Sequence, residues 1–178
     1  AYYETGKLYP LVQKEVLNKQ MPILKKKLLY AKDYGYATMD MVWPQKDLDA
    51  ALNLYCYDLE TCWWENQGGK FVRHALPIQA QVSPVQGIVI DDFNRDVKPD
   101  ILLAGNKYGF EVETNRCDAG TGALLLGDGK GQFNWRSNLN SGFWAAGEAR
   151  DLAGLRSAGG KRIIVVANNN GAMQVYQN

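Results

Sequence analysis

A mainly β fold with an N-terminal α-helical segment is what this sequence predicts, and three observations carry it. Over the first fifty positions apolar residues recur at helical spacing: Val12 and Val16, then Leu17, Met21, Leu24 and Leu28. From about residue 53, short runs rich in aromatic and β-branched residues alternate with glycine and asparagine turns. A faint repeat of about 60 residues then links Gly68-Gly69-Lys70-Phe71 with Gly129-Lys130-Gly131-Gln132-Phe133, and Gly87–Asp100 with Gly147–Lys161.

The elements follow in order. The periodicity predicts helices over 10–20 and 22–32. Pro22 opens the second, because proline is tolerated at the first helical position but not in a helix interior. A third helical piece is predicted after Pro44, through Lys46 to Leu52, and Lys25-Lys26-Lys27 reads as a solvated face. The aromatic runs Leu54–Tyr57 and Cys62–Trp64 predict strands. Glu65–Gly69 is a turn cluster before Lys70–Arg73, which makes a hairpin. Further strands are predicted over 86–91, 100–105, 108–113, 122–127, 131–136, 147–153, 161–167 and 172–177. Short strands at this spacing indicate a sandwich, barrel or propeller, and the repeat suggests successive four-stranded blades. The division is a helical insertion or cap at 1–52 and a β region at 53–178.

Composition excludes several function classes. The chain has 178 residues, 46% hydrophobic and 22% charged, with a net charge of +1. Residues 1–80 carry ten basic and nine acidic side chains, and residues 81–178 ten of each, without the bias of a nucleic-acid binder. No apolar run approaches the roughly 20 residues that span a bilayer. The sequence opens at Ala1-Tyr2-Tyr3, with no initiator Met and no signal-peptide core, and is expected to be part of something longer. Cys56, Cys62 and Cys117 are too few for a disulfide scaffold, and buried thiols are expected.

No catalytic constellation is visible. His74 is the single histidine. Ser83, Ser137, Ser141 and Ser157 lack a nucleophile-elbow context, and Cys117 has no histidine nearby. The glycine loop 127–131 has no following helix or Lys-Ser/Thr pair, so it reads as a hairpin turn. Glu111 and Glu113 share a strand face and read as solvated or in contact with Arg116, and Asp118 as a turn aspartate. Trp63 and Trp64, adjacent in a strand, must face opposite ways. Trp135, Phe143 and Trp144 fall near loop edges, where they pack between strands or stack on a ligand.

The most informative stretch is Asp92-Phe93-Asn94-Arg95-Asp96-Val97-Lys98-Pro99-Asp100. Oxygen-bearing side chains recur at its first, third, fifth and ninth positions, between two apolar runs. Calcium takes six to eight oxygen ligands at roughly 2.3–2.6 Å, so the segment reads as strand, calcium loop, strand; in its echo at Gly147–Lys161, Arg150-Asp151-Leu152 stands in for that loop without its ligands.

Together with Leu102-Leu103-Ala104-Gly105-Asn106 and Leu125-Leu126-Gly127-Asp128-Gly129-Lys130-Gly131-Gln132-Phe133, this stretch resembles the FG-GAP/VCBS repeat of integrin α-type β-propellers. The resemblance covers roughly residues 53–178. Gln20-Met21-Pro22, Leu24–Lys27, Tyr30, Tyr34, Leu76–Gln81, Ser141-Gly142 and Gly147 look similar to large bacterial surface proteins of the cartilage-acidic-protein type, with ASPIC/UnbV-like segments, many from Bacteroidota. The resemblance implies a partial β-propeller of about two to three four-stranded blades. It also implies one structural calcium ion, held by Asp92, Asn94, Asp96, the Lys98 carbonyl, Asp100 and water. The family commonly has glycine where Arg95 and Val97 stand, and a β-branched residue resists the turn that glycine eases.

The expected function is non-enzymatic: an extracellular or cell-surface module, outer-membrane-associated or periplasmic locations included, that binds a protein or glycan. The alternatives are the scaffold of a carbohydrate-active or other hydrolytic enzyme, or a structural assembly subunit. Two or three blades leave open sheet edges. The rest of the propeller, another copy or the helical segment is expected to cover them.

Overall fold

The computed structural model describes residues 2–110 and 114–177. The chain divides into two compact units, Ala1–Tyr57 and Asp58–Asn178. Among the described residues it is mainly β, with eleven strands in four small antiparallel sheets.

The first unit opens with a hairpin that the helical reading did not anticipate: β1 (Tyr2–Glu4) pairs with β2 (Lys7–Tyr9), and Tyr2 stacks on Tyr9. The helices are shorter than the periodicity predicts. α1 covers Lys14–Gln20, a 3-10 turn covers Pro22–Lys26 with the proline at its start, and α2 covers Ala31–Gly35. α1 stops where Pro22 forces Met21 out of helical geometry, to φ −131° and ψ 77°. α3 (Met39–Val42) follows, and α4 (Gln45–Ala50) begins directly after Pro44. The core is small: Leu17, Leu24, Ala37 and Val42, flanked by Leu28, Tyr34 and Trp43. Val12, Val16 and Met21 share the predicted periodicity but stay exposed.

The second unit begins with the predicted hairpin, β3 (Cys62–Gln67) paired with β4 (Lys70–Ala75). A four-stranded meander follows: β5 (Val85–Asp91), β6 (Asp100–Gly105), β7 (Ala123–Gly127) and β8 (Phe133–Arg136). A short helix α5 (Asn138–Ser141) leads on to a three-stranded sheet of β9 (Ala149–Arg156), β10 (Arg162–Asn168) and β11 (Gln174–Gln177).

All six residues of β6 are buried. Successive side chains of a strand point to opposite faces, so this strand is covered on both. Leu102 and Ala104 join Phe143, Ala145, Ala149, Leu152, Ile164 and Val166 on the face shared with the last sheet. Ile101 and Leu103 join Ala123 and Leu125 on the other face, with Leu76, Ala80, Trp63 and Phe133. The meander is therefore the middle of three layers. Gly87 permits this stacking, because a Cβ there would lie 2.5 Å from the backbone nitrogen of Leu152 in β9.

Three expectations need correction. Leu54–Tyr57 forms no strand among the described residues; Leu54, Tyr55 and Tyr57 are exposed, so no buried apolar face holds a strand there. The strand predicted over 108–113 is absent over 108–110. Its start is reduced to one bridge, Lys107 to Cys117, and 111–113 lie outside the described residues. Arg150-Asp151-Leu152 does not stand in for the calcium loop. It lies inside β9, where buried Leu152 anchors the strand, and the matching turn is residues 157–161.

Candidate cation loop and its basic flank

The loop joining β5 to β6 is organised by its own carboxylates. Asp92 Oδ1 accepts the Asp96 amide at 3.0 Å and its Oδ2 the Val97 amide at 2.9 Å. Asn94 Oδ1 accepts the same Asp96 amide at 3.0 Å, and Asp96 Oδ1 accepts the Lys98 amide at 3.0 Å. Asp92 and Asn94 therefore turn their oxygens to one side of the loop. Each of these oxygens takes one amide and keeps a lone pair.

Asp100 is placed differently. It is fully buried, its Oδ2 accepts the Phe93 and Asn94 amides at 2.8 and 3.3 Å, and its Oδ1 accepts the Gly127 amide at 2.9 Å. Its carboxylate ties the loop to the end of β7. The Lys98 ammonium lies 3.4 Å from Asp96 Oδ2, a pair that a bound cation would replace. Arg95 and Val97 both adopt left-handed backbone, at φ 66° and 67°. These are the two positions where the resembling family commonly has glycine, and the turn keeps its shape at the expense of strain in both.

The donor set fits a hard cation. Asp92, Asn94 and Asp96 offer side-chain oxygens, and residues 94–97 are exposed to water. Among the described residues no group of three or more His, Cys, Asp or Glu side chains stands close enough to hold a metal ion. The set thus relies on Asn94, backbone and water beside its carboxylates.

The flank of the loop was not foreseen. Asp91 ends β5 and accepts from Arg162 Nε at 2.7 Å, with Arg156 Nη2 at 3.6 Å from its other oxygen. The Arg162 guanidinium holds the Asp91 carboxyl below the usual carboxylate range. Arg162 also donates to the Asp92 carbonyl and lies over the Phe93 ring. Arg162 starts β10, seventy positions from the loop, and no local pattern announces such a pairing.

A second polar cluster joins the same two sheets. Asn106, fully buried after β6, donates from Nδ2 to the carbonyls of Gly120, Ala146 and Gly147 at 2.9, 3.1 and 3.0 Å. Its Oδ1 accepts the Gly120 amide and the Ser83 hydroxyl. Nearby, Glu148 is 3% exposed, accepting from the Tyr108 amide, Arg150 and Asn169. The Gly-Asn turn was the available signal for Asn106; Glu148 had none.

The remaining candidates fall into structural roles. His74 stacks on Trp63 and lies 3.1 Å from Glu65 across the hairpin. Asp118 pairs with Arg116 at 2.7 Å. Glu111 and Glu113 lie outside the described residues. Asp128 Oδ1 accepts the Lys130 and Gln132 amides, closing the glycine loop as a hairpin turn. Trp63 packs on the core while Trp64 is exposed, as adjacency requires; Trp135 and Trp144 are also exposed and Phe143 is buried. The thiols are not the buried ones expected: Cys56 is exposed, and Cys62 and Cys117 are half-buried. No helix is long and apolar enough to cross a membrane among the described residues. Comparison with family models, with curated proteins and with solved structures gives no match.

Proposed function

We propose that the Asp58–Asn178 unit consists of successive blades of a β-propeller of FG-GAP/VCBS type, that its β5–β6 loop takes one structural calcium ion, and that the chain is a non-enzymatic extracellular or cell-surface module for binding a protein or glycan. The observation that carries this reading is the burial of β6 on both faces between two other sheets. Stacked four-stranded meanders bury their middle blade in this way. On this reading β3–β4 are the outer strands of one blade, β5–β8 a whole blade, and β9–β11 three strands of the next. The rest of the propeller or another copy of the chain covers the open edges.

Asp92, Asn94 and Asp96 would hold the ion, with the Lys98 carbonyl and water. Asp100 contributes by fixing the loop to β7. The ion supplies charge that lets the carboxylates converge and no chemistry beyond that. Thermal unfolding in calcium and in excess chelator tests the metal. Calcium should raise Tm in the native sequence and leave Asp92→Ala and Asp96→Ala unmoved. Equal melting of the native protein in both conditions refutes it. A glycan array and a pull-down on the full-length protein test the binding role.

A further inference from the structure

Beside the loop lies an open concavity of about 570 Å3 lined by Asp91, Asp92, Arg95, Arg156, Gly159, Gly160, Lys161 and Arg162. It forms where the β5–β6 loop meets the tight β9–β10 turn, and four cations face two carboxylates there. Both carboxylates are already engaged. Asp91 takes Arg162 on one oxygen and Arg156 on the other. Asp92 turns its two oxygens to the Asp96 and Val97 amides. Arg95 and Lys161 are both exposed and have no ion-pair partner among the described residues.

The turn leaves the site open. Ser157 closes it, accepting the Gly160 amide on its carbonyl and the Lys161 amide on its hydroxyl. Gly159 and Gly160 then present backbone only, and a side chain at Gly160 would meet nothing within 4 Å. Four cations against two carboxylates leave the concavity with an excess of positive charge, which concentrates anions. Guanidinium and ammonium groups that line one concavity from two loops suit an oxyanion with several acceptor oxygens.

We propose that this concavity binds a tetrahedral oxyanion, a phosphate or sulfate group, through Arg95 and Lys161, with Arg156 and Arg162 as the fixed inner wall. The site adjoins the calcium loop and shares Asp92 with it, but none of its cations is a proposed calcium ligand. Titration in excess chelator keeps the two apart.

The test follows backbone amide shifts while sodium phosphate or sodium sulfate replaces chloride at constant ionic strength. Saturable shifts are expected at Arg95 and at residues 159–162. Arg95→Gln with Lys161→Gln should weaken binding by about tenfold or more, since each removes a charge-assisted contact. Lys70→Gln with Lys130→Gln, the same charge change elsewhere, should leave it intact. Tighter binding of phosphate assigns a phosphate ester and tighter binding of sulfate a sulfate ester. The absence of saturable shifts, an undiminished affinity in the double variant, or equal loss in the control pair overturns the proposal. A poly-glutamate peptide that binds more tightly than either anion also overturns it.

Discussion

Asn106→Ala should be among the most damaging single substitutions in the second unit, and its cost follows from the groups it leaves behind. The Gly120 amide and carbonyl lose buried partners, and the Ala146 and Gly147 carbonyls lose half-buried ones. A buried polar group without a partner costs about 1–3 kcal/mol. Counting the two buried groups near the middle of that range and the two half-buried ones near its foot gives a loss of about 6 kcal/mol. With a urea m-value of about 2 kcal/mol/M for a small domain, the midpoint should fall by about 3 M at unchanged slope. Tryptophan fluorescence can follow the transition, since Trp63 packs on the core. Asn168 is the built-in comparison. It ends β10 as Asn106 follows β6, but its Nδ2 reaches only the Ala172 carbonyl and Gln174, and its Oδ1 has no hydrogen-bond partner among the described residues. Asn168→Ala should therefore cost under about 1.5 kcal/mol. Similar losses for the two variants, or a loss under about 1 kcal/mol for Asn106→Ala, would refute the assignment of Asn106 as the tie between the two sheets.

Two further outcomes follow from single residues. Val97→Gly should raise Tm, because Val97 holds φ 67° while 92% exposed; relief of about 1–2 kcal/mol of left-handed strain exceeds the roughly 0.5–1 kcal/mol entropy cost of glycine. A lower Tm would show that the valine is doing something the turn geometry does not reveal. Glu148 is held below its ordinary value by the Asn169 side chain, the Tyr108 amide and Arg150, against some desolvation. A carboxyl with a depressed folded pKa adds stability that is complete above its unfolded value of about 4.3 and lost as pH falls through the folded value. Urea midpoints should therefore fall more steeply on acidification in the native protein than in Glu148→Gln, and parallel pH slopes would count against the role of Glu148.

What was legible in the sequence is what local pattern encodes. The β3–β4 hairpin, the β5–loop–β6 unit and the glycine turn before β8 were all readable, because alternation and turn chemistry act within a few residues. Pro22 and Pro44 likewise mark helical starts through their fixed φ. The helical stripe overstates the core, since Val12, Val16 and Met21 satisfy the spacing but find no opposing surface in so small a unit. The loop carboxylates were legible as a spacing, but the burial of Asp100 and its bond to Gly127 were not. The basic concavity was illegible for the same reason: Arg95 and Arg162 meet only through the pairing of two sheets.

That pairing bears on what a cation in the loop is able to control. The β5 end and the β10 start are joined by Arg162, which takes the Asp91 carboxylate and the Asp92 carbonyl together. Asn106 and Glu148 join the same sheets at the opposite ends of the strands. Between them, Gly87 brings the β5 backbone against Leu152. None of these contacts involves the free lone pairs of Asp92, Asn94 or Asp96. Calcium would therefore order residues 93–98 and add stability by binding only the folded loop, while the stacking of the sheets rests on the protein's own cation. Chelation should accordingly loosen the loop amides in hydrogen exchange and leave β5, β6 and β9 protected. Joint loss of protection in loop and strands would mean that the ion, and not Arg162, holds the layers together.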